Sequence, residues 1–224
     1  MGGDTPATAQ RIGLNRIGLM GGTFDPIHLG HLFIAEEARV RCHLDRVIFF
    51  PNNQPPPVLG KSTHVDAETR LMLTELAIEG NARFCVSRVE LDRPGPSYAF
   101  DTLNILRHEF GPKVELFYIM GADSISEVLT WYRGAELFSM CHFIAATRPG
   151  FSIDAARRKL SPEQLQRVQF LEVPGLHIAS RDLRERVRQG LPIRYLTPDA
   201  VAQAIEERGL YREGLNREVP QGAD

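Results

Sequence analysis

The stretch Gly21-Gly22-Thr23-Phe24-Asp25-Pro26-Ile27-His28-Leu29-Gly30-His31 decides how this chain is read. A short apolar run, Ile17-Gly18-Leu19-Met20, precedes it, and a helical pattern from Leu32 to Val40 follows. The order is strand, glycine-rich loop, helix. Backbone N–H groups and a helix N-terminus meet there. Both attract anions, because the first helical turn has unpaired donors and the positive end of the dipole. Gly21 and Gly22 lack a Cβ, which predicts that a ligand comes close to their backbone. Pro26 biases Asp25 towards an extended conformation and delays the helix. His28 and His31 then share one face of the first turn, and Gly30 keeps that face open.

Two imidazoles, a threonine hydroxyl and bare N–H groups suit a phosphate. The stretch is not a Walker A loop, since the Gly-Lys-Ser/Thr ending is absent, and it lacks the G-x-G-x-x-G spacing of a dinucleotide fingerprint. Taken alone, His28 and His31 also read as surface histidines, or as two ligands of a zinc ion. The glycine-rich approach and the lack of a nearby cysteine cluster favour the anion.

Outward from this loop, apolar runs alternate with helical patterns. Strands are predicted at 16–20, 46–50, 84–87, 115–120, 142–146 and 169–173, with a possible extension of the third over Val89 to Leu91. Helices are predicted up to about Arg41, from Asp66 to Glu79, from Tyr98 to Phe110, late within Leu129 to Met140, and after Ser161-Pro162-Glu163. Two more begin at Ser180 and at Thr197-Pro198, each hydroxyl residue fitting an N-cap. This alternation predicts an α/β fold. It is a Rossmann-like, doubly wound, mainly parallel sheet with helices on both faces, one domain over 16–212 with extra C-terminal helices. Residues 1–15 and 213–224 read as loose tails. The proline-rich loop from Asn52 to Val65 reads equally as a surface crossover or a substrate lid.

Ligands of such sheets lie beyond the carboxyl ends of the strands. Three stretches fall there: Gly21–His31, Gly121–Asp123 and the helix start at Ser180. Arg181, Arg184 and Arg188 recur along that last helix, as a second anion site or as a solvated basic face. The 224 residues, 43% hydrophobic and 24% charged, suit one globular domain. A formal net charge of −2 gives no general pull towards nucleic acid or anionic membrane, so any phosphate site is local. No apolar run approaches a membrane helix, and no signal peptide is apparent. Cys42, Cys85 and Cys141 are unclustered and odd in number, which argues for reduced, buried thiols and a cytoplasmic location.

The histidine loop is similar to the (T/H)-x-G-H signature of the nucleotidyltransferase superfamily. In its longer form it resembles bacterial nicotinate mononucleotide adenylyltransferases. Gly95-Pro96-Ser97-Tyr98-Ala99-Phe100-Asp101-Thr102, Gly121-Ala122-Asp123-Ser124, Trp131-Tyr132, Ile178-Ala179-Ser180-Arg181-Asp182-Leu183-Arg184, Tyr195-Leu196-Thr197-Pro198 and Leu210-Tyr211 extend the resemblance over most of the chain. It implies adenylyl transfer from ATP to nicotinate mononucleotide, with Mg²⁺ on the ATP phosphates and no protein metal site. It implies catalytic roles for His28, His31, Thr23, Ser180 and Arg184. ATP contacts would come from Gly21, Gly22, Phe24, Asp25, Gly30, Gly121, Asp123, Ile178 and Arg181. Nicotinate mononucleotide contacts would come from Thr23, Ala99, Trp131, Tyr132 and Lys61. Trp131 and Tyr132 would frame the ring, while N–H groups at Ala99 and Tyr132 would meet its carboxylate. The partners implied are these small molecules, and a homo-oligomer is left open.

Three departures from the family pattern stand out. Ala179 and Arg181 replace a Ser and a Thr of Ile-Ser-Ser-Thr-x-Ile-Arg. Ala99 replaces a Thr. Pro57-Val58 replace a His-Lys pair, which leaves Lys61 as the nearest lysine. They keep alternatives open: a nucleotide-binding module without catalysis, or a superfamily relative using nicotinamide mononucleotide or phosphopantetheine.

Overall fold

The structure is a computed structural model, and it describes residues 13–57, 60, 62–147 and 152–212. Its centre is a six-stranded sheet in the order β3-β2-β1-β4-β5-β6, with every pairing parallel. The strands are β1 (Arg16–Gly22), β2 (Arg46–Pro51), β3 (Phe84–Val86), β4 (Glu115–Gly121), β5 (His142–Thr147) and β6 (Val168–Glu172). The chain winds outward from β1 in one direction, then returns to β4 and winds outward in the other. The reversal between β1 and β4 is the crevice where such sheets bind ligands.

Both faces of the sheet are covered, because successive side chains in a strand point to opposite sides. Ile17 and Leu19 face a layer that holds Leu103, Leu106 and Phe138, while Met20, Val47 and Phe49 face one that holds Ala35, Leu73 and Val201. The first layer comes from α3 (Ala99–Phe110) and α5 (Gly134–Met140), and the second from α1 (Leu29–Arg41), α2 (Ala67–Ile78) and α9 (Asp199–Glu207). Asp66 caps α2 by accepting from the Thr69 N–H at 2.7 Å.

The expected α/β architecture is present, and several local readings need correction. Val89 to Leu91 form a turn, because Ser87 already ends the pairing with β2. The segment before α5 carries a short α4 (Ala122–Ile125) and a 3₁₀ turn (Val128–Thr130). A helix that sequence reading did not foresee, α6 (Asp154–Lys159), precedes α7 (Pro162–Leu165). Ser161 caps α7 as expected, accepting from the Gln164 N–H. Thr197 is not a cap: α9 begins at Asp199, and the Thr197 hydroxyl donates to the Ile27 carbonyl at 2.9 Å. That bond ties the C-terminal segment to the histidine loop.

Asn15 is held by the sheet, its N–H donating to Asp45 Oδ2 at 2.8 Å. Residues 1–12 and 213–224, most of the expected tails, lie outside the described residues. Among the described residues no helix is long and apolar enough to cross a membrane. Cys42 and Cys141 are buried and none of the three cysteines forms a disulfide, while burial pushes the Cys141 thiol up to about 12.

Candidate active site

β1 ends at Gly22, and the chain crosses the carboxyl edge of the sheet before α1 begins at Leu29. His28 is the extended residue at that helix start, and its N–H donates to Nδ1 of His31 at 3.2 Å. Nδ1 of His31 is therefore an acceptor, and the ring proton sits on Nε2. The two imidazoles stack with centroids 3.7 Å apart. Burial, and then the neighbouring His28, hold His31 well below the usual histidine range. Burial lowers His28 to about 4, against the opposing pull of the Asp182 carboxylate. Both rings are thus neutral donors or acceptors at neutral pH. Nδ1 of His28 is buried against Gly30, at the capping-box position facing the His31 N–H, and makes no full hydrogen bond among the described residues.

The glycines around this pair do work that the sequence reading assigned to a ligand. A Cβ on Gly21 would lie 2.4 Å from Cε2 of Phe50 and 2.8 Å from the Tyr118 hydroxyl oxygen. A Cβ on Gly22 would lie 2.9 Å from Cε1 of Phe24. Packing against aromatic neighbours is the reason for both glycines. Gly30 opens the helix face as expected, since a Cβ there would approach Nδ1 of His28 to 3.0 Å.

Phe24 and Asp25, read as ATP contacts, turn their side chains inward. Phe24 is buried, with its ring edge-on to His31 at 5.2 Å. Asp25 is 3% exposed. Its Oδ2 accepts from the N–H and ring Nδ1 of His64 (2.8 and 2.9 Å), and its Oδ1 accepts from the Tyr211 hydroxyl (2.9 Å). The carboxylate is a clamp between the end of the proline-rich loop and the last helical segment.

The second anion stretch packs against the same loop. Helix α8 (Ser180–Arg188) starts at Ser180 itself, with Ala179 at the cap position, so Ser180 is not an N-cap. Its hydroxyl donates instead to the Pro26 carbonyl at 2.8 Å. Arg184 donates to the Asp25 carbonyl at 2.6 Å, and its Nε is buried without a partner. Arg181 points to solvent and pairs with Asp182 at 3.5 Å.

Two adjoining cavities flank the histidine loop along the carboxyl edge and share Ile34 and Gly121 in their walls. The first, of about 290 Å³, brings together Gly21, Gly22, Thr23, His31, Ala99, Trp131 and Tyr132. The second, of about 340 Å³, brings together Gly30, Asp123, Ile178 and the 173–177 segment. Trp131 stands edge-on to Tyr118 at 6.1 Å, and its buried indole N–H has no partner among the described residues. Tyr132 leans on Tyr98 at 5.0 Å. Ala99 is the first residue of α3, whose first turn has no side-chain cap. The Asp101 and Thr102 N–H groups return to the Tyr98 carbonyl, so the donors this helix start leaves open are those of Ala99 and Phe100. Lys61 lies outside the described residues.

Sequence reading missed three polar residues here. Arg70 is fully buried and donates to the carbonyls of Thr23 (2.8 Å) and Asn53 (3.0 Å) and to Oδ1 of Asn52 (3.0 Å). Asn52 in turn donates to the Thr23 hydroxyl at 3.3 Å. Glu90 is buried in the wall of the first cavity. Arg70 carried a signal, since it stands beside Leu71, Leu73 and Thr74 on the buried side of α2. Asn52 carried another, as the residue just past the carboxyl end of β2.

The parallel doubly wound sheet with paired histidines at its switch point is the architecture of a nucleotidyltransferase, and the cytidylyltransferase-like family model matches residues 19–186. A probable nicotinate-nucleotide adenylyltransferase of Moorella thermoacetica is 48% identical over 92% of this chain and 96% of its own. One of Acidothermus cellulolyticus is 47% identical over 88% of this chain and 94% of its own. The chain belongs to the nicotinate-nucleotide adenylyltransferase family. In fold it matches the Plasmodium falciparum nicotinic acid mononucleotide adenylyltransferase complexed with NaAD. The TM-score is 0.73 at 19% identity, over 88% of this chain and 97% of that one.

Proposed function

We propose that this enzyme transfers the adenylyl group of ATP to nicotinate mononucleotide, giving nicotinate adenine dinucleotide and pyrophosphate, within NAD biosynthesis. The observation that carries the reading is the pair of cavities that share Ile34 and Gly121, one lined by His31 and the other by Gly30. One is walled by aromatic rings and uncapped N–H groups, as a pyridine carboxylate requires. The other is lined by apolar residues such as Phe33 and Val173 together with Asp123 and Asp182, which suits an adenosine.

An oxygen of the acceptor's phosphate attacks the α-phosphorus of ATP in line. The bond from that phosphorus to the bridging oxygen breaks, and pyrophosphate leaves with the electron pair. The attacking oxygen is already anionic, so neither a general base nor a covalent enzyme intermediate is needed. Catalysis is positioning and charge stabilisation. His31 donates from Nε2 to the phosphate that is being transferred, and His28 holds a neighbouring oxygen. Thr23 donates its hydroxyl to the incoming phosphate while Asn52 and Arg70 hold it in place. The first turn of α8 and Arg184 face the leaving pyrophosphate. Ser180 acts there through its backbone and through its grip on Pro26, since its hydroxyl proton is already engaged.

The donor set of imidazole, hydroxyl, guanidinium and N–H groups suits phosphate oxygens. Among the described residues no group of three or more His, Cys, Asp or Glu is placed to hold a metal. Mg²⁺ carried on the ATP phosphates would neutralise charge on the leaving group. The buried thiols of Cys42 and Cys141 support a cytoplasmic location.

The test is pyrophosphate release from ATP and Mg²⁺ with nicotinate mononucleotide or nicotinamide mononucleotide as acceptor. Strong preference for the acid supports the reading in full. Equal release with both keeps adenylyl transfer and removes the carboxylate pocket. ATP binding without release supports a non-catalytic module, with Ala179 and Arg181 the first positions to revert.

A further inference from the structure

Glu90 is an anomaly in the cavity that takes the acceptor. It is 5% exposed, it carries a carboxyl group, and it lines a space assigned to an anion. No motif pointed to it. Its surroundings explain what it does. The Thr102 hydroxyl, one turn into α3, donates to its Oε1 at 2.7 Å, and the Ser97 hydroxyl also bonds to the carboxyl. Ser97 in turn accepts from the Asn53 N–H at 3.0 Å, and Asn53 accepts from Arg70 at 3.0 Å. The same Arg70 holds the Thr23 carbonyl. A continuous, largely buried polar chain therefore runs from the histidine loop to the start of α3. Burial raises the Glu90 carboxyl, while the Thr102 and Ser97 hydroxyls, Arg93 and Arg70 act against that rise. Tyr118 faces it from β4.

We infer that Glu90 is a positioning residue for acceptor choice: it locks the turn carrying Ser97 and the first turn of α3, and so aims the Ala99 N–H at the acceptor's ring carboxylate. A buried acceptor bonded on both sides to hydroxyls fixes the segment between them, because every alternative arrangement leaves a buried polar group unpaired. Ala99 lies between Ser97 and Thr102, so its N–H has little freedom. The acid form of the acceptor uses that N–H as an anion site, whereas the amide form has no charge to place there. This inference rests on the proposed function.

The experiment measures KM and kcat for nicotinate mononucleotide and nicotinamide mononucleotide, with ATP, in the wild type and in Glu90→Gln, Glu90→Ala and Thr102→Val. ATP binding and thermal unfolding are followed in parallel. Glu90→Ala and Thr102→Val are expected to lose about tenfold of the acid-over-amide preference, the scale of one aligned hydrogen bond to a charge. Their ATP affinity stays within about twofold of wild type, and Glu90→Gln, which keeps one acceptor, falls between. If Glu90→Ala does not fold, Thr102→Val, which removes the hydroxyl donor at nearly constant shape, decides the matter. Unchanged preference, or equal weakening of acid and amide, overturns the inference alone. A preference that rises in Glu90→Gln also overturns it, because charge repulsion would then be what Glu90 contributes. A wild type without acid preference overturns the carboxylate pocket itself, and this inference with it.

Discussion

The His28 and His31 rings lie face to face, 3.7 Å between centroids and 25° from parallel, with the His28 N–H bonded to Nδ1 of His31. Burial lowers the pKa of both rings, and two imidazolium ions this close would repel, so the folded arrangement favours the neutral pair at pH 7. At pH 7, ¹⁵N NMR of the imidazoles is expected to show His31 unprotonated at Nδ1 and protonated at Nε2. A doubly protonated His31 would remove the donor role assigned to it.

The same burial makes stability depend on pH. Folding lowers the pKa of His28 from 6.5 to about 4 and lowers His31 as well. Below pH 6.5 the unfolded chain binds more protons at these rings than the folded one, so stability is full above that value and is lost as pH falls towards 4. The urea midpoint is expected to drop steadily between pH 6.5 and 4.5, and a His28→Asn variant should drop less steeply. Parallel curves for the two proteins would count against this account.

His31→Ala removes one preorganised donor from the transferred phosphate. The expected loss in kcat is about 10²–10³-fold, with ATP binding weakened far less. Near wild-type turnover would take His31 out of the mechanism.

Arg70 holds three acceptors from a fully buried position. Arg70→Ala leaves these groups without partners, at a cost of roughly 3 kcal/mol in unfolding free energy. Because Thr23 and Asn53 both lose their anchor, KM for the acceptor should rise along with the drop in Tm. A stable variant with normal kinetics would mean that the loop is held without Arg70.

Gly21→Ala puts a methyl group 2.4 Å from the Phe50 ring. Overpacking of this kind costs about 1–3 kcal/mol. The loss should be recovered in part by Phe50→Leu in the same chain. If Gly21→Ala keeps its stability yet loses ATP affinity, close ligand approach rather than packing explains the glycine.

Much of the framework was legible in the residue order. β1, β2, β4 and β5 are apolar on both sides, and this pattern holds only for strands covered on both faces. Helix starts were harder. Ser180 and Thr197 look like N-caps, yet each hydroxyl goes to a carbonyl of the 26–27 segment more than 150 residues away. A serine before a helical pattern has two uses, and the choice depends on what the fold brings beside it.

The sequence by itself determined the strand–loop–helix unit at Gly21–His31, the alternation that makes the sheet parallel, and the placing of two histidines at the start of the first helix. Each follows from local spacing and backbone chemistry. Only the tertiary structure decided that Asp25 serves as a clamp for His64 and Tyr211, that Arg70 supports Thr23, and that Glu90 lines the cavity beside Thr23 and His31. Those pairings join residues 39 to 186 positions apart, or set a carboxyl group against a cavity that exists only between packed elements. A buried polar group takes whichever partner the sheet order places within hydrogen-bonding reach, and no local pattern encodes that partner's identity.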